Sequence, residues 1–175
     1  STDNLTSDST PTISGTGTPG DTITVTMPGT GEVLTAVVAG NGSWSVTPTQ
    51  ALADGVQSVS VTATDPAGNV SAPTDVPLTI DTMANVPSVL TSVANTLTPV
   101  ISGGAHLAPG EALTVTVGGA TYAVTPNAQG SWTLNLATAT PTSGTLNLGY
   151  GTMSVTAVVT DAAGNVGTDT STGEL

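Results

Sequence analysis

Short stretches in which apolar and polar residues alternate recur along the chain. In residues 22–27, Ile23, Val25 and Met27 alternate with threonines, so the three apolar side chains share one face of a strand. Comparable apolar patterns lie at residues 33–39, 58–64 and 76–80. Glycine, proline, asparagine and aspartate separate these stretches, and none of them has the 3.6-residue apolar period of a helix. The pattern predicts an all-β protein.

Asn41-Gly42 lies between two of the predicted strands and is a strong signal for a two-residue hairpin turn. Trp44 follows on the next strand. Because the chain has no phenylalanine, we expect this indole to be buried in the core. A carbohydrate-stacking platform is the alternative, and it is disfavoured because the same position recurs in register at Trp132.

The whole pattern occurs twice. The matching segments are residues 11–15 and 99–103, residues 42–44 and 130–132, and residues 58–70 and 154–166. Their spacing grows from about 88 to about 96 residues, because the second copy is longer over residues 138–151. We therefore predict two tandem Ig-like β-sandwich domains, residues 1–82 and 83–175, stacked end to end.

The charge composition excludes several classes of protein. The chain has no lysine or arginine and twelve acidic residues, so its formal net charge is −12. Nucleic-acid and anionic-membrane binding both need clustered cations, and no stretch is apolar enough to span a bilayer. There is no cysteine for a disulfide or a thiolate site. We expect a monomeric fragment of a longer protein in an extracellular bacterial setting.

Candidate catalytic residues are few. His106 is the single histidine and has no cysteine partner, so a surface loop position is favoured over a role in a catalytic triad. Zinc clusters and nucleotide-binding fingerprints are absent from the sequence. Residue spacing leaves a carboxylate pair for glycoside hydrolysis open. We predict that the chain is not an enzyme.

Several carboxylates are predicted to meet where the two domains join. If each domain has seven strands in Ig-like order, Asp81 ends the last strand of the first domain. The loops that carry Glu111, Asp161 and Asn165 then lie at the facing pole of the second. Two carboxylates about 5 Å apart repel by roughly 3 kcal/mol, and no lysine or arginine can relieve this. Ca²⁺, which takes six to eight oxygen ligands, can.

The first domain carries an equivalent set of residues. Asp21, Asp65 and Asn69 occupy the matching positions, with Asp3 and Asp8 nearby. That pole would face a preceding domain, so we expect any site there to be incomplete. The alternative interpretation is that residues 65–69 simply form a turn, since Asp, Pro, Gly and Asn are common turn residues.

A series of motifs makes the chain resemble the bacterial Ig-like repeats of large RTX and biofilm-associated adhesins that are exported by type I secretion. The motifs lie at residues 6–16, 19–20, 42–48, 52–55, 63–71 and 80–82. The resemblance implies tandem β-sandwich extender domains with Ca²⁺ at their junctions, on the bacterial cell surface. The second repeat departs from the pattern, since Thr96 replaces Asp8 and the loop at residues 138–151 is longer.

Two functions follow as hypotheses. The first is a spacer whose partners are the neighbouring Ig-like repeats of the same chain, made rigid by Ca²⁺, which projects a distal ligand-binding region for adhesion and biofilm formation. The alternative is a module that binds a glycan or a surface receptor through the long loop of the second repeat, beside Tyr150.

Overall fold

The computed structural model describes residues 4–169, which contain fifteen β-strands and no helix. The all-β prediction is therefore confirmed. The chain divides into two compact units between Thr82 and Met83, and each unit is described by itself below. Within the described residues, no helix is long and apolar enough to cross a membrane.

Unit 1 contains seven strands in two sheets. The strands are β1 (Leu5–Thr6), β2 (Ile13–Thr16), β3 (Thr22–Thr26), β4 (Val33–Val37), β5 (Ser43–Val46), β6 (Gly55–Thr64) and β7 (Thr74–Ile80). The larger sheet has the order β1-β7-β6-β3-β4, and β2 pairs with β5 in the smaller one. All pairs are antiparallel except β1 with β7.

The core of unit 1 follows directly from the alternation in the sequence. On β3, Ile23 and Val25 are buried, whereas Thr22 and Thr24 on the other face are only half-buried. Val25 pairs with Val61 of β6 and is fully buried. Each such aliphatic side chain contributes about 1.5–3 kcal/mol through burial, so the β3 pattern fixes which face of the sheet turns inward.

The turn at Asn41-Gly42 differs from the prediction. Gly42 has a positive φ of 84°, and its N–H donates to the carbonyl oxygen of Ala39 at 2.8 Å, so a tight turn is present. The strands on either side, however, belong to different sheets. The hairpin interpretation was wrong, because the chain crosses here from the larger sheet to the smaller one.

Unit 2 repeats the seven strands and adds one. The strands are β8 (Ser88–Val89), β9 (Val100–Gly104), β10 (Ala112–Val117), β11 (Ala120–Val124), β12 (Ser131–Asn135), β13 (Ser143–Gly144), β14 (Val155–Thr160) and β15 (Val166–Asp169). The larger sheet has the order β13-β11-β10-β14-β15, and the smaller has the order β12-β9-β8. Every pair in this unit is antiparallel.

The two tryptophans are buried to different extents. Trp132 is 1 % exposed and lies in the unit 2 core with the buried ring of Tyr122. Trp44 is only half-buried and packs against the edge of the unit 1 core. The prediction that each repeat buries its tryptophan is therefore right for Trp132 and holds only in part for Trp44, although each indole packs against a glycine, Gly103 and Gly15 respectively.

Candidate functional site

Two predicted carboxylates meet at one pole of unit 2. Glu111 immediately precedes β10, and Asp161 immediately follows β14. The antiparallel register pairs Ala112 with Thr160, so the two acidic residues lie side by side just beyond the paired strands. Partial burial and, to a smaller extent, the negative charge of Asp161 both act to raise the pKa of Glu111, although hydrogen bonds keep that pKa below its usual value. The sheet register therefore concentrates negative charge at this pole.

The Glu111 carboxylate fastens the beginning of unit 2 to this pole. Its Oε1 accepts the backbone N–H of Asn85 at 2.8 Å, and its Oε2 accepts the Asn85 side-chain amide at 2.9 Å. Oε2 also accepts the N–H of Ala108 at 2.7 Å. Partial burial raises the pKa of Glu111, but these hydrogen bonds outweigh it and hold the pKa below its usual value. Asn85 carried no signal in the sequence that could have singled it out.

Asp161 closes its own loop. Its Oδ1 accepts the backbone N–H of Asn165 at 2.8 Å, and its Oδ2 accepts the Asn165 side-chain amide at 2.7 Å. Gly164, with a φ of 90°, provides the left-handed residue that the turn requires. Desolvation raises the pKa of Asp161, and the hydrogen bonds from Asn165, Gly164 and Ala163 together lower it by more. The turn interpretation of this motif describes the loop correctly.

Unit 1 has the same loop at Asp65. The Asp65 carboxylate accepts the Asn69 N–H at 2.8 Å, the Asn69 amide at 2.8 Å and the Ala67 N–H at 2.9 Å. Hydrogen bonding by Asn69 lowers the pKa of Asp65. Asp21 precedes β3 as Glu111 precedes β10, but its carboxylate accepts no hydrogen bond within the described residues. The corresponding poles of the two units thus have the same Asp-Asn loop. They differ in the acidic residue beside it, because the Glu111 carboxylate accepts hydrogen bonds and, among the described residues, the Asp21 carboxylate does not.

The other predicted ligands belong to unit 1 or lie outside the described residues. Asp81 follows the last strand of unit 1, and its backbone N–H donates to the Thr6 carbonyl oxygen at 3.0 Å. Asp3 lies outside the described residues. Asp8 is exposed and accepts hydrogen bonds from the N–H and the hydroxyl of Thr10.

The donor chemistry of the unit 2 pole fits Ca²⁺, because all the side-chain donors are carboxylate or amide oxygens. The donor number within the unit does not suffice for a complete site. Residues 4–169 contain no group of three or more acidic, histidine or cysteine side chains that could hold a metal ion. Since an ionised carboxylate has about four lone-pair sites, Glu111 and Asp161 retain acceptor capacity beyond their present hydrogen bonds.

His106 lies exposed in the loop that follows β9. A side-chain carbon built onto Gly130 would collide with the imidazole, so the ring lies flat against this glycine. Such packing against a bare backbone explains the position of His106 without a catalytic partner.

Comparisons with known proteins found one family model and several similar solved structures. A family model described as bacterial Ig-like domain matches residues 1–82. A structure of a 1.5-MDa bacterial ice-binding adhesin is 29 % identical over 95 % of this chain and 58 % of its own, with a TM-score of 0.49. A Ca²⁺-stabilised adhesin with which an Antarctic bacterium binds ice is 27 % identical over 94 % and 43 %, with a TM-score of 0.49. A tetra-tandem repeat from the extending region of a large adhesion protein is 26 % identical over 97 % and 45 %, with a TM-score of 0.37.

The chain spans about half the length of these three structures. Comparison with curated protein sequences gave no match. The family match over residues 1–82 confirms the bacterial Ig-like resemblance that the motifs indicate. The chain is an all-β protein whose first unit matches the bacterial Ig-like domain model.

Proposed function

We propose that the chain is a non-catalytic extender module of a bacterial cell-surface adhesin, exported by type I secretion. In this role its tandem Ig-like domains hold a distal ligand-binding region away from the cell, for adhesion and biofilm formation. The observation that carries the proposal is the repetition of one seven-strand plan in both units, together with the family match of the first. Repeated sandwiches joined in series are a means of covering distance.

The roles of the acidic residues support a structural function. Four carboxylates have a pKa below the usual value, and hydrogen bonds that fasten loops or chain segments lower it in each case: Glu32, Asp65, Glu111 and Asp161. A general acid needs the opposite, namely a pKa raised towards neutrality. These carboxylates serve the scaffold and the binding of cations.

Ca²⁺ is the cofactor in this proposal. Glu111 and Asp161 supply carboxylate oxygens at one pole of unit 2, and Asp81 supplies a further carboxylate from the end of the preceding domain. The equivalent set in unit 1, with Asp21 and Asp65, would serve the junction with another repeat. A bound divalent cation offsets the repulsion among carboxylates and restricts the linker, so the module becomes stiffer.

Small-angle X-ray scattering tests the stiffening. The fragment is measured in 2 mM Ca²⁺ and again after addition of excess chelator. When Ca²⁺ is removed, we expect the maximum dimension of the fragment to fall and its scattering profile to indicate greater flexibility. The melting temperature should fall as well, because a ligand that binds only the folded state stabilises it. Superimposable profiles and equal melting temperatures in the two buffers would remove calcium from the proposal.

Substitutions identify the ligands. Asp81→Ala should abolish most of the response to Ca²⁺. The matched control is Asp75→Ala, which removes an exposed carboxylate near the beginning of β7. If both variants respond to Ca²⁺ as the wild-type fragment does, the ion binds elsewhere and the assignment of Asp81 fails.

A further inference from the structure

Unit 2 has a groove that the proposed spacer function does not require. Two segments, residues 94–99 and 148–153, enclose about 310 Å³. The side chains that matter for binding are Asn95, Thr96, Leu97, Leu148, Tyr150 and Met153. None of the residues that line the groove is charged. In a chain with a net charge of −12, an uncharged groove of this size is a distinct chemical environment.

Tyr150 stands at this groove with 96 % of its surface exposed. The other three aromatic residues of the chain are used in packing, since Tyr122 and Trp132 are buried and Trp44 is half-buried. Leaving a large aromatic ring in water sacrifices the stabilisation that its burial would give. The ring is available to a ligand on both faces.

The groove exists because the second repeat has changed at this place. At the spacing of about 96 residues that relates the two repeats here, Leu52 corresponds to Leu148 and Asp54 to Tyr150. In unit 1, Leu52 is 4 % exposed, and its N–H donates to the Ser9 carbonyl oxygen at 2.8 Å. That contact closes the loop onto the segment before β2. In unit 2, Leu148 is only half-buried, and the space between the same two segments remains open.

We infer that this groove binds a neutral sugar, with one pyranose ring stacked on Tyr150. The apolar C–H face of a pyranose suits the tyrosine ring, as well as Leu97 and Met153 at the groove. The Asn95 amide and the Thr96 hydroxyl offer donors and acceptors for sugar hydroxyl groups. The absence of lysine and arginine from the chain disfavours anionic sugars. The volume lies at the lower end of the range for small-molecule sites, which suits one or two rings.

Sugar binding here does not rest on the spacer function or on calcium. None of the proposed Ca²⁺ ligands lines the groove. An extender with such a site would add a weak contact to each copy of the domain along the parent chain, and weak sites gain strength when several act together.

Nuclear magnetic resonance with defined sugars tests the inference. The ¹⁵N-labelled fragment is titrated separately with glucose, galactose, mannose, fucose and N-acetylglucosamine, each up to 50 mM, in chelator. We expect at least one sugar to shift the amide signals of residues 94–99 and 148–153 with a dissociation constant in the millimolar range, as befits about a dozen non-hydrogen atoms. If no sugar shifts these signals, the inference is overturned. A peptide rich in leucine and proline is titrated in parallel, and its binding in place of the sugars would also overturn the inference.

Three substitutions separate stacking from general effects. Tyr150→Ala should weaken binding at least tenfold, whereas Tyr150→Phe, which keeps the ring, should retain it within about twofold. Asp54→Ala, at the corresponding position of unit 1, is the matched control and should have no effect. Both residues are exposed, so the variants are expected to fold, and equal amide spectra away from the site verify this. Wild-type affinity in Tyr150→Ala would contradict the assignment.

Discussion

The two units differ most clearly in the connection between the fifth and sixth strands of the seven-strand plan that they share. This connection joins β5 to β6 in unit 1 and β12 to β14 in unit 2. In unit 1 it is short, and the Glu32 carboxylate anchors it by accepting the Thr49 N–H and hydroxyl and the Gln50 N–H. In unit 2 it runs from residue 136 to residue 154 and contains no acidic residue. The same sandwich thus accommodates either a tethered loop or an extended one, and the shared strands keep their order: β7-β6-β3-β4 in unit 1 and β15-β14-β10-β11 in unit 2.

The longer connection also protects a sheet edge. Strand β13, which lies within it, pairs with the beginning of β11, and Thr142 donates its N–H to the Thr121 carbonyl oxygen at 2.7 Å. In unit 1 the corresponding strand β4 is the last in its sheet within the described residues. Covering an edge strand limits unwanted pairing with other chains. The insertion therefore has a structural effect as well as forming one wall of the groove.

The first strands of the two units join different sheets. Strand β1 pairs in parallel with β7 of the larger sheet, whereas β8 pairs antiparallel with β9 of the smaller one. In unit 2 the Asp169 carboxylate accepts the Val89 N–H at 2.6 Å, which links β8 to the larger sheet through a side chain. A polar side chain here replaces a backbone pairing.

Removal of the two indoles should give the largest difference between the units. Trp132→Ala empties a fully buried position and should cost unit 2 about 3–5 kcal/mol, whereas Trp44→Ala should cost unit 1 about half as much, because Trp44 is only half-buried. Urea unfolding measures both, with the remaining tryptophan as the fluorescent reporter of the unsubstituted unit and circular dichroism for the other. Equal costs would mean that the two cores are packed alike.

A related substitution sharpens this comparison. The Trp132 indole N–H is buried and meets no acceptor within the described residues, whereas the Trp44 N–H donates to the Thr16 carbonyl oxygen at 3.4 Å. Trp132→Phe removes that unpaired donor together with part of the ring. It should therefore cost less than about half of what Trp132→Ala does.

Alanine at the glycines that face the tryptophans should give the next largest effect. A side-chain carbon on Gly103 would collide with the backbone carbonyl oxygen of Ser88, which is fixed in the sheet, and with Trp132. On Gly15 it would come within 2.7 Å of the half-buried Trp44 ring, which can shift. We expect Gly103→Ala to cost about 1–3 kcal/mol and Gly15→Ala less than about 1 kcal/mol, measured by thermal unfolding. The reverse order would show that Trp44 is held rigidly.

Removing the charge beside β10 and β3 should have a smaller effect. Glu111→Gln weakens the attachment of Asn85 and should lower the melting temperature of unit 2 by about 2–6 °C. Asp21→Asn, the matched substitution in unit 1, should leave that unit's melting temperature unchanged without Ca²⁺. Differential scanning calorimetry in chelator measures both. A fall of similar size in both units would contradict the special role of Glu111.

Acid should destabilise both units in one pH range. Glu32 and Asp65 in unit 1, and Glu111 and Asp161 in unit 2, have a lower pKa folded than unfolded. Their stabilisation is present above the unfolded pKa of about 4 and is lost as the pH falls through the lower folded values. The melting temperatures of both units should therefore decrease as the pH is lowered below about 4. Glu111→Gln should weaken this dependence of the melting temperature on pH in unit 2 alone. If Glu111→Gln leaves the pH dependence of the unit 2 melting temperature unchanged, the assignment of Glu111 is contradicted.

The sequence was sufficient where one residue pattern determines one local structure. Alternation along β3 predicted the buried face, and the repetition of Asp65 as Asp161 predicted two equivalent loops. The sequence was not sufficient where the structure depends on contacts between segments that are distant in the chain. The exposure of Trp44, the crossing between sheets at Asn41-Gly42 and the hydrogen bonds of Asn85 depend on packing between elements, which residue type and spacing do not encode.

Calorimetric titration with Ca²⁺ tests the proposed function most directly and uses the same comparison between the poles. Wild-type fragment, Glu111→Gln and Asp21→Asn are titrated in chelator-free buffer of about 0.1 M ionic strength. Saturable binding is expected in the wild type and in Asp21→Asn, with at least tenfold weaker affinity in Glu111→Gln. If Glu111→Gln binds Ca²⁺ as the wild type does, or if no variant shows saturable binding, the proposed calcium-stiffened extender is contradicted.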